Sequence, residues 1–341
     1  MSRTNVKEKR KSLISAGSDA EARKRVTGQE EAWLHRMEPE LHPVACESEC
    51  RMTHPDPNAV DLNRGGETIA AVTGASAGLG FEIASALARQ GVRVVLVCRD
   101  PARGESARHR IAEASPGAAL DLFVADLSSR SEVLRLGAEM RAALPRLDVL
   151  VNNAGVVKAR REETVDGIEW TLAVNHLAPF HLTRLLLPLL GATKGARVVN
   201  VSSDAHRGVA LDVDDLQAVS SYDAFLAYRR TKLANVLFTY ALARRVAGDG
   251  IGAFAVAPGM AATDIAREAP PWYQLEWSSR SRPAAEGAVT PAWAAHTREL
   301  SGKSGLYLRD GAVVESSPES YDAALQEQLW EKSLALTSLT G

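Results

Sequence analysis

The segment Thr68–Thr73 is a short, β-branched apolar run that leads straight into Gly74-Ala75-Ser76-Ala77-Gly78-Leu79-Gly80 and then an Ala/Leu-rich stretch at helical period. Three glycines spaced Gly-x3-Gly-x-Gly between a strand and a helix restrict the chain more than any other feature. They permit a tight turn, a close backbone approach to a pyrophosphate, and helix packing on the strand. The helix start adds free N–H groups and the positive end of its dipole. A glycine cluster alone is also what an ordinary strand-to-helix turn shows. Its place after the first strand of an alternating pattern favours phosphate binding.

That alternation runs on through the chain. Strand candidates follow at Val92–Cys98, Leu120–Val124, Val149–Val151, Arg197–Val201, Gly252–Ala257 and Gly305–Leu308. They are nearly continuous in hydrophobicity, as strands covered on both faces are. Helical patterns lie between them at Gly80–Arg89, Ala102–Ala114, Arg130–Ala143, Thr171–Leu190, Phe225–Val246 and Pro283–Thr297. Short links between strands and helices predict a doubly wound (Rossmann) α/β fold. It has a seven-stranded parallel sheet, helices on both faces and a single domain.

Residues 1–65 stand apart. Lys and Arg outnumber Asp and Glu by eight to three over residues 1–25, and the ratio is three to eight over 26–65. No long apolar period runs through them, so a disordered extension preceding a folded unit at 66–341 is expected. Met37 and Met52 are alternative starts. His42, Cys46, Cys50 and His54 recur every four residues, but neither this spacing nor Pro43 suits a zinc site, and no metal is expected. The net charge of -2 and aromatic content of 5% argue against a nucleic-acid binder. Three scattered cysteines imply no disulfide framework and fit a reducing, cytoplasmic setting. No run reaches the roughly 20 apolar residues of a membrane helix.

The second strand bears on which dinucleotide binds. An acid near its end would hold a ribose 2′-hydroxyl and select NAD. Here the strand ends Val97-Cys98-Arg99-Asp100. Cys98 stands where the acid belongs, and the Arg99 guanidinium suits a 2′-phosphate. Asp100, before Pro101, reads as the cap of the next helix. NADP(H) is therefore expected over NAD(H).

Tyr228 and Lys232 sit at i and i+4 on a predicted helix and share a face. A free tyrosine, with a pKa near ~10, is too weak a base at neutral pH; a cation one turn away favours the phenolate. Tyr240 and Arg244 repeat the spacing without other partners. Ser202 and Ser203 end the fifth strand, where ligands of parallel sheets collect, and alternation lets only one of them face the site. Its hydroxyl would hydrogen-bond a reacting oxygen. Pro270-Pro271-Trp272-Tyr273-Gln274-Leu275-Glu276-Trp277 reads either as an apolar substrate lid or as an interface patch. His176, His181 and His206 show no partner pattern and read as structural.

Thr73–Gly80, Asp126-Leu127, Asn152-Asn153-Ala154-Gly155, Asn175, Ser202-Ser203, Tyr228-x3-Lys232 and Pro258-Gly259 occur in the order and spacing of the short-chain dehydrogenase/reductase family. The chain resembles that family over roughly 68–310. Val174–Phe180, Val97–Asp100 and the tail at Ser317-Pro318, Tyr321-Asp322 and Leu329-Trp330 resemble its retinol-dehydrogenase-like branch. The resemblance implies an oxidoreductase that interconverts a carbonyl and an alcohol, on a lipophilic small molecule. It implies that Tyr228 transfers the proton, Lys232 tunes it and holds the nicotinamide ribose, Ser203 rather than Ser202 positions the oxygen, and Asn175 bends its helix to hold a relay water. The cofactor would lie on Gly74, Ser76, Ala77, Gly78, Leu79, Gly80, Arg99, Asp126, Leu127, Asn153, Ala154, Gly155, Pro258, Gly259 and Thr263, with Asp126 at the adenine and Thr263 at the carboxamide. Family members commonly form homodimers or homotetramers through the helices around Asn175 and Tyr228. Two other functions remain open: an NAD(H) enzyme of the same family, and a silent cofactor-binding sensor.

Overall fold

A computed structural model describes residues 67–263, 265, 267–269, 274–275, 278–279 and 281–338. The expectations for residues 1–65, including the His42/Cys46/Cys50/His54 spacing, lie outside the described residues. So do Trp272, Tyr273 and Trp277 of the aromatic segment.

Eight strands form one sheet: β1 (Ile69–Thr73), β2 (Arg93–Cys98), β3 (Leu120–Val124), β4 (Val149–Asn152), β5 (Arg197–Val201), β6 (Gly252–Ala257), β7 (Leu306–Arg309) and β8 (Ala312–Val314). Their spatial order is β3-β2-β1-β4-β5-β6-β7-β8. β1 to β7 are mutually parallel, in register from Val94 opposite Leu120 at one side to Phe254 opposite Leu306 at the other. The chain leaves β1 in one direction and resumes on its other side with β4, which opens a crevice at the strand carboxyl ends.

The expected seven parallel strands are all present, and the eighth corrects the count. β8 runs antiparallel to β7, with Arg309 opposite Ala312. Asp310 and Gly311 join them at φ of 48° and 73°. An Asp-Gly pair with both residues at positive φ makes the tight hairpin turn whose twist matches the flanking strands. That dipeptide was the overlooked signal, because a three-residue strand is too short to show a period.

Helices cover both faces. α1 (Gly78–Arg89), α2 (Pro101–Ala114) and α7 (Ala284–His296) pack on the side that takes Ala70, Val72, Val94 and Leu96. α3 (Arg130–Ala143), α5 (Ala178–Gly191) and α6 (Ala224–Arg245) pack on the side that takes Ile69, Ala71, Val95 and Val97. Successive residues of one strand thus feed two cores, which is why the strands read as apolar throughout. Asp100 caps α2 by accepting the Arg103 N–H at 2.9 Å, with Pro101 in the first turn. A last helix, α8 (Ala323–Thr337), had no separate expectation. Its Trp330 packs edge-on to Phe180 at 4.9 Å and lies 6.0 Å from Phe238, so α8 lies across α5 and α6. No described helix is long and apolar enough to cross a membrane.

Candidate active site

The glycine turn is built as its spacing requires. Gly74 and Gly78 take φ of +70° and +55°, a region that suits residues without a Cβ. At Gly80 the constraint is contact: a Cβ would lie 2.3 Å from the Gly74 carbonyl and 2.5 Å from Asn153 Nδ2. Asn153 fixes that neighbourhood by donating Nδ2–H to Thr73 O at 2.8 Å. Thr73 Oγ1 in turn accepts the N–H groups of Asn153 and Ala154. The end of β4 is thereby bolted to the end of β1. Ala77, at the N-cap of α1, has no side chain to satisfy the first-turn N–H groups. They remain available to a ligand anion.

A cleft of about 440 Å³ runs from this turn across the carboxyl ends of the strands. Arg99, Arg103 and Asp126 line one end; Ser203, Tyr228 and Lys232 line the other. Every residue expected at the cofactor or the chemistry lines this cleft except Asn175. The donors and the glycine cradle suit a dinucleotide. Cys98 is buried beneath the Arg99 end, and burial pushes its thiol up to about 11. Asp100 spends its carboxylate on the helix cap. Asp126 Oδ1 accepts from Ser128 N and Oγ at 2.9 and 2.7 Å. Arg103 was not anticipated; it is the third residue after the α2 cap, a position that returns to the strand end.

At the other end, Tyr228 and Lys232 lie one turn apart on α6, whose Asp223 caps it at Leu226 N. Both are buried. Ser203 lines the cleft with Tyr228 and favours its phenolate. Ser202 points away, donating to the Lys232 carbonyl at 2.8 Å and so holding α6 to β5. Strand alternation left these two serines open, and the packing separates them. Lys232 Nζ donates to Val201 O at 3.0 Å. Desolvation lowers the Lys232 pKa to about 8 and raises the Tyr228 pKa to about 12, with Ser203 opposing the latter. The expected fall in the tyrosine's pKa is thus corrected. A phenolate so deep in the protein costs more than the nearby serine returns.

Asn175 sits behind the cleft, fully buried, in a π-helical turn spanning Ala173–Leu177 between the short α4 (Trp170–Leu172) and α5. Its Oδ1 accepts Val156 N–H at 2.8 Å and its Nδ2 donates to Val156 O at 2.9 Å and Thr231 Oγ1 at 3.2 Å. The helix widens here so that a side-chain amide can pair with the loop after β4. Its main-chain carbonyl accepts from Asn235 Nδ2 at 2.9 Å. His176 bridges Asn235 and Ser333 in the interior and is held down to about 4 by burial. Tyr240, in the repeated Tyr-x3-Arg spacing, is tied to Ser316 on the far side of α6 and away from the cleft.

Val156, Val157, Trp170, Val174 and Ile265 give the catalytic end an apolar wall, which the sequence did not mark. Among them Trp170 lies under Lys158, 4.5 Å from Nζ to the ring centre. Lys158 also pairs with Glu268 at 2.5 Å, joining the loop after β4 to the segment after β6. No group of described residues could hold a metal ion.

The family model for short chain dehydrogenases matches residues 68–274. Human retinol dehydrogenase 14 is 36% identical over 309 residues, covering 83% of this chain and 92% of that protein. Human retinol dehydrogenase 12 is 37% identical over 274 residues, covering 80% and 86%. Among solved structures, a protein of Mycobacterium paratuberculosis is 34% identical with a TM-score of 0.66, covering 81% of this chain and 96% of that one. Pseudomonas aeruginosa RhlG, solved as a complex with NADP, is 27% identical with a TM-score of 0.60, covering 75% and 98%. The glycine turn, the Ser/Tyr/Lys cleft and these likenesses converge: the chain belongs to the short-chain dehydrogenase/reductase family, as a retinol-dehydrogenase-like oxidoreductase that interconverts carbonyl and alcohol with a nicotinamide cofactor.

Proposed function

We propose that the protein is an NADP(H)-dependent oxidoreductase acting on a lipophilic ketone, aldehyde or secondary alcohol, with Tyr228 as the proton donor in reduction and acceptor in oxidation. The observation that carries this reading is the meeting of Ser203, Tyr228 and Lys232 at one end of a cleft whose far end carries Arg99 and Arg103. When bound, the nicotinamide supplies or takes up the hydride at the substrate carbon. Tyr228 O–H, kept protonated by burial, gives its proton to the carbonyl oxygen. Ser203 Oγ holds that oxygen and shares the developing charge. Lys232, with a pKa of about 8, is charged at neutral pH and stabilises the phenolate that remains. Asn175 supports the wall behind them through Val156.

Two arginines at the second strand's end suit a 2′-phosphate, and Asp100 is occupied as a helix cap, which favours NADP(H) over NAD(H). The RhlG complex with NADP supports the same preference. The apolar wall of Val157, Trp170 and Ile265 and the retinol dehydrogenase relatives support a lipophilic substrate. The test records nicotinamide absorbance with NADPH and NADH against a panel of apolar carbonyls, for the protein and for Tyr228→Phe. Turnover with NADPH that Tyr228→Phe abolishes is expected. Turnover unaffected by that change overturns the mechanism. Cofactor binding without turnover across the panel favours the silent sensor.

A further inference from the structure

The turn that follows Ser203 is held by a side chain with no part in the chemistry above. His206 is fully buried, and both ring nitrogens are engaged. Nδ1 lies 2.7 Å from the carbonyl oxygen of Ser203, and Nε2 lies 3.0 Å from the main-chain nitrogen of Ser317. A carbonyl oxygen only accepts and a main-chain N–H only donates. The two partners therefore fix the tautomer: Nδ1 carries the proton and Nε2 the lone pair.

This ring acts on Ser203 at short range. The Ser203 carbonyl takes the Nδ1–H and also the main-chain N–H of His206 at 3.2 Å. Ser203 Oγ accepts the Ala205 N–H at 3.1 Å within the same 3-10 turn, Asp204–His206. The direction of Oγ is thus set by the turn, and the turn is pinned at its end by the imidazole. Tyr307 lies 4.8 Å from the imidazole, ring centre to ring centre, and its O–H donates to Asp204 Oδ1 at 3.1 Å. Arg229, next to Tyr228, grips the carbonyls downstream at Ala205 and Arg207. Burial keeps the imidazole below the usual histidine range, so the neutral form this pairing requires is the one present at neutral pH.

We propose that His206 is a positioning residue: its neutral ring ties the turn of Ser203 to the C-terminal segment at Ser317 and so sets the angle at which Ser203 Oγ meets Tyr228 and the substrate oxygen. This rests on the role given to Ser203 above. It also gives the tail beyond β8 a part in catalysis, although that tail does not line the cleft.

Two substitutions separate positioning from simple packing. In His206→Asn the amide nitrogen stands at the place of Nδ1 and still donates to Ser203, while the reach to Ser317 is lost. In His206→Gln the amide oxygen stands near the place of Nε2 and accepts from Ser317, while the donor to Ser203 is lost. Both are measured for NADPH affinity, melting temperature, kcat and KM, beside Ser203→Ala. A small misplacement of a reacting group costs far more rate than stability, so His206→Gln is expected to lower kcat about tenfold with NADPH affinity unchanged. His206→Asn, which loses only the tie to Ser317, is expected to lower kcat about threefold while losing comparable melting temperature. Equal kcat for the two variants, or kcat following melting temperature in both, overturns the proposal. Loss of turnover in Ser203→Ala beside full turnover in His206→Gln overturns it and leaves the reading of Ser203 intact. Full turnover in Ser203→Ala overturns that reading and this proposal with it. Should His206→Gln fail to fold, Ser317→Pro decides: Ser317 has φ of -69°, which suits proline, and the change deletes the Nε2 partner. A lowered kcat is then expected, and parental kcat overturns the proposal.

Discussion

Lys232 Nζ lies 5.3 Å from the centre of the Tyr228 ring and is held there by the carbonyl of Val201. The ammonium is thus placed beside the phenol with no carboxylate partner among the described residues. Burial lowers its pKa from 10.5 to about 8. Below pH 8 the cation is present and supports the phenolate left by proton transfer; above pH 8 it is progressively lost. The kcat/KM for carbonyl reduction is expected to be level below pH 8 and to fall about tenfold per unit above it. Lys232→Met is expected to give a low, flat profile. Stability runs the other way for this group. Between about pH 8 and 10.5 the unfolded chain holds the proton that the folded one has shed, so this lysine adds stability as pH rises. A fall in rate above pH 8 without a fall in melting temperature therefore identifies the lysine's charge, not unfolding, as the cause.

Arg99 and Arg103 line the cleft end beside the buried Cys98. If they receive a 2′-phosphate, removing either guanidinium weakens the dinucleotide that carries one and leaves the other alone. Arg99→Ala and Arg103→Ala are each expected to raise the NADPH dissociation constant about tenfold and to leave that for NADH within about twofold. Fluorescence titration of both cofactors at two salt concentrations checks this. Equal losses for both cofactors would sink the phosphate assignment.

Gly80→Ala places a methyl 2.3 Å from the Gly74 carbonyl and 2.5 Å from Asn153 Nδ2. Neither can retreat freely, because the carbonyl belongs to the glycine turn and Nδ2 is bonded to Thr73 O. The variant is expected to lose nucleotide binding and to melt at a lower temperature. Gly117→Ala serves as the control for positive φ alone: its φ is +85°, with nothing within 4 Å of the added methyl. Differential scanning fluorimetry with and without NADPH separates the two.

Trp330 fills the seam between α5 and α6, against Phe180 and Phe238, with the Arg245 guanidinium 3.8 Å from its ring centre. Trp330→Ala leaves a cavity there and is expected to cost about 3 kcal/mol in urea unfolding. The same helix covers Phe180 of α5 and Phe238 of α6. Removal of α8 is expected to bare Phe180 and Phe238 and to produce self-association in light scattering. Unchanged light scattering after removal of α8 would contradict this account.

The strands and helices were legible because doubly covered strands and amphipathic helices write period and continuity into the chain. β3, β5, β6 and α3 fall on the ranges their patterns predict. The eighth strand escaped for want of length, though Asp310-Gly311 carried its turn. Arg103 and the Val157/Trp170/Ile265 wall escaped because they lie on separate loops and helix starts, where neither period nor spacing speaks.

By itself the sequence determined the turn, the dinucleotide cleft and the pairing of Tyr228 with Lys232, all of which depend on local geometry: glycines at fixed offsets and side chains one helical turn apart. Only the tertiary structure decided the rest. It turned Ser203 rather than Ser202 toward Tyr228, because Ser202 is spent on the Lys232 carbonyl. It raised the tyrosine's pKa where a neighbouring cation alone would have lowered it, because burial is a property of the packed chain. It also brought Ser317 to His206 across 111 residues, a contact that no pattern along the chain encodes.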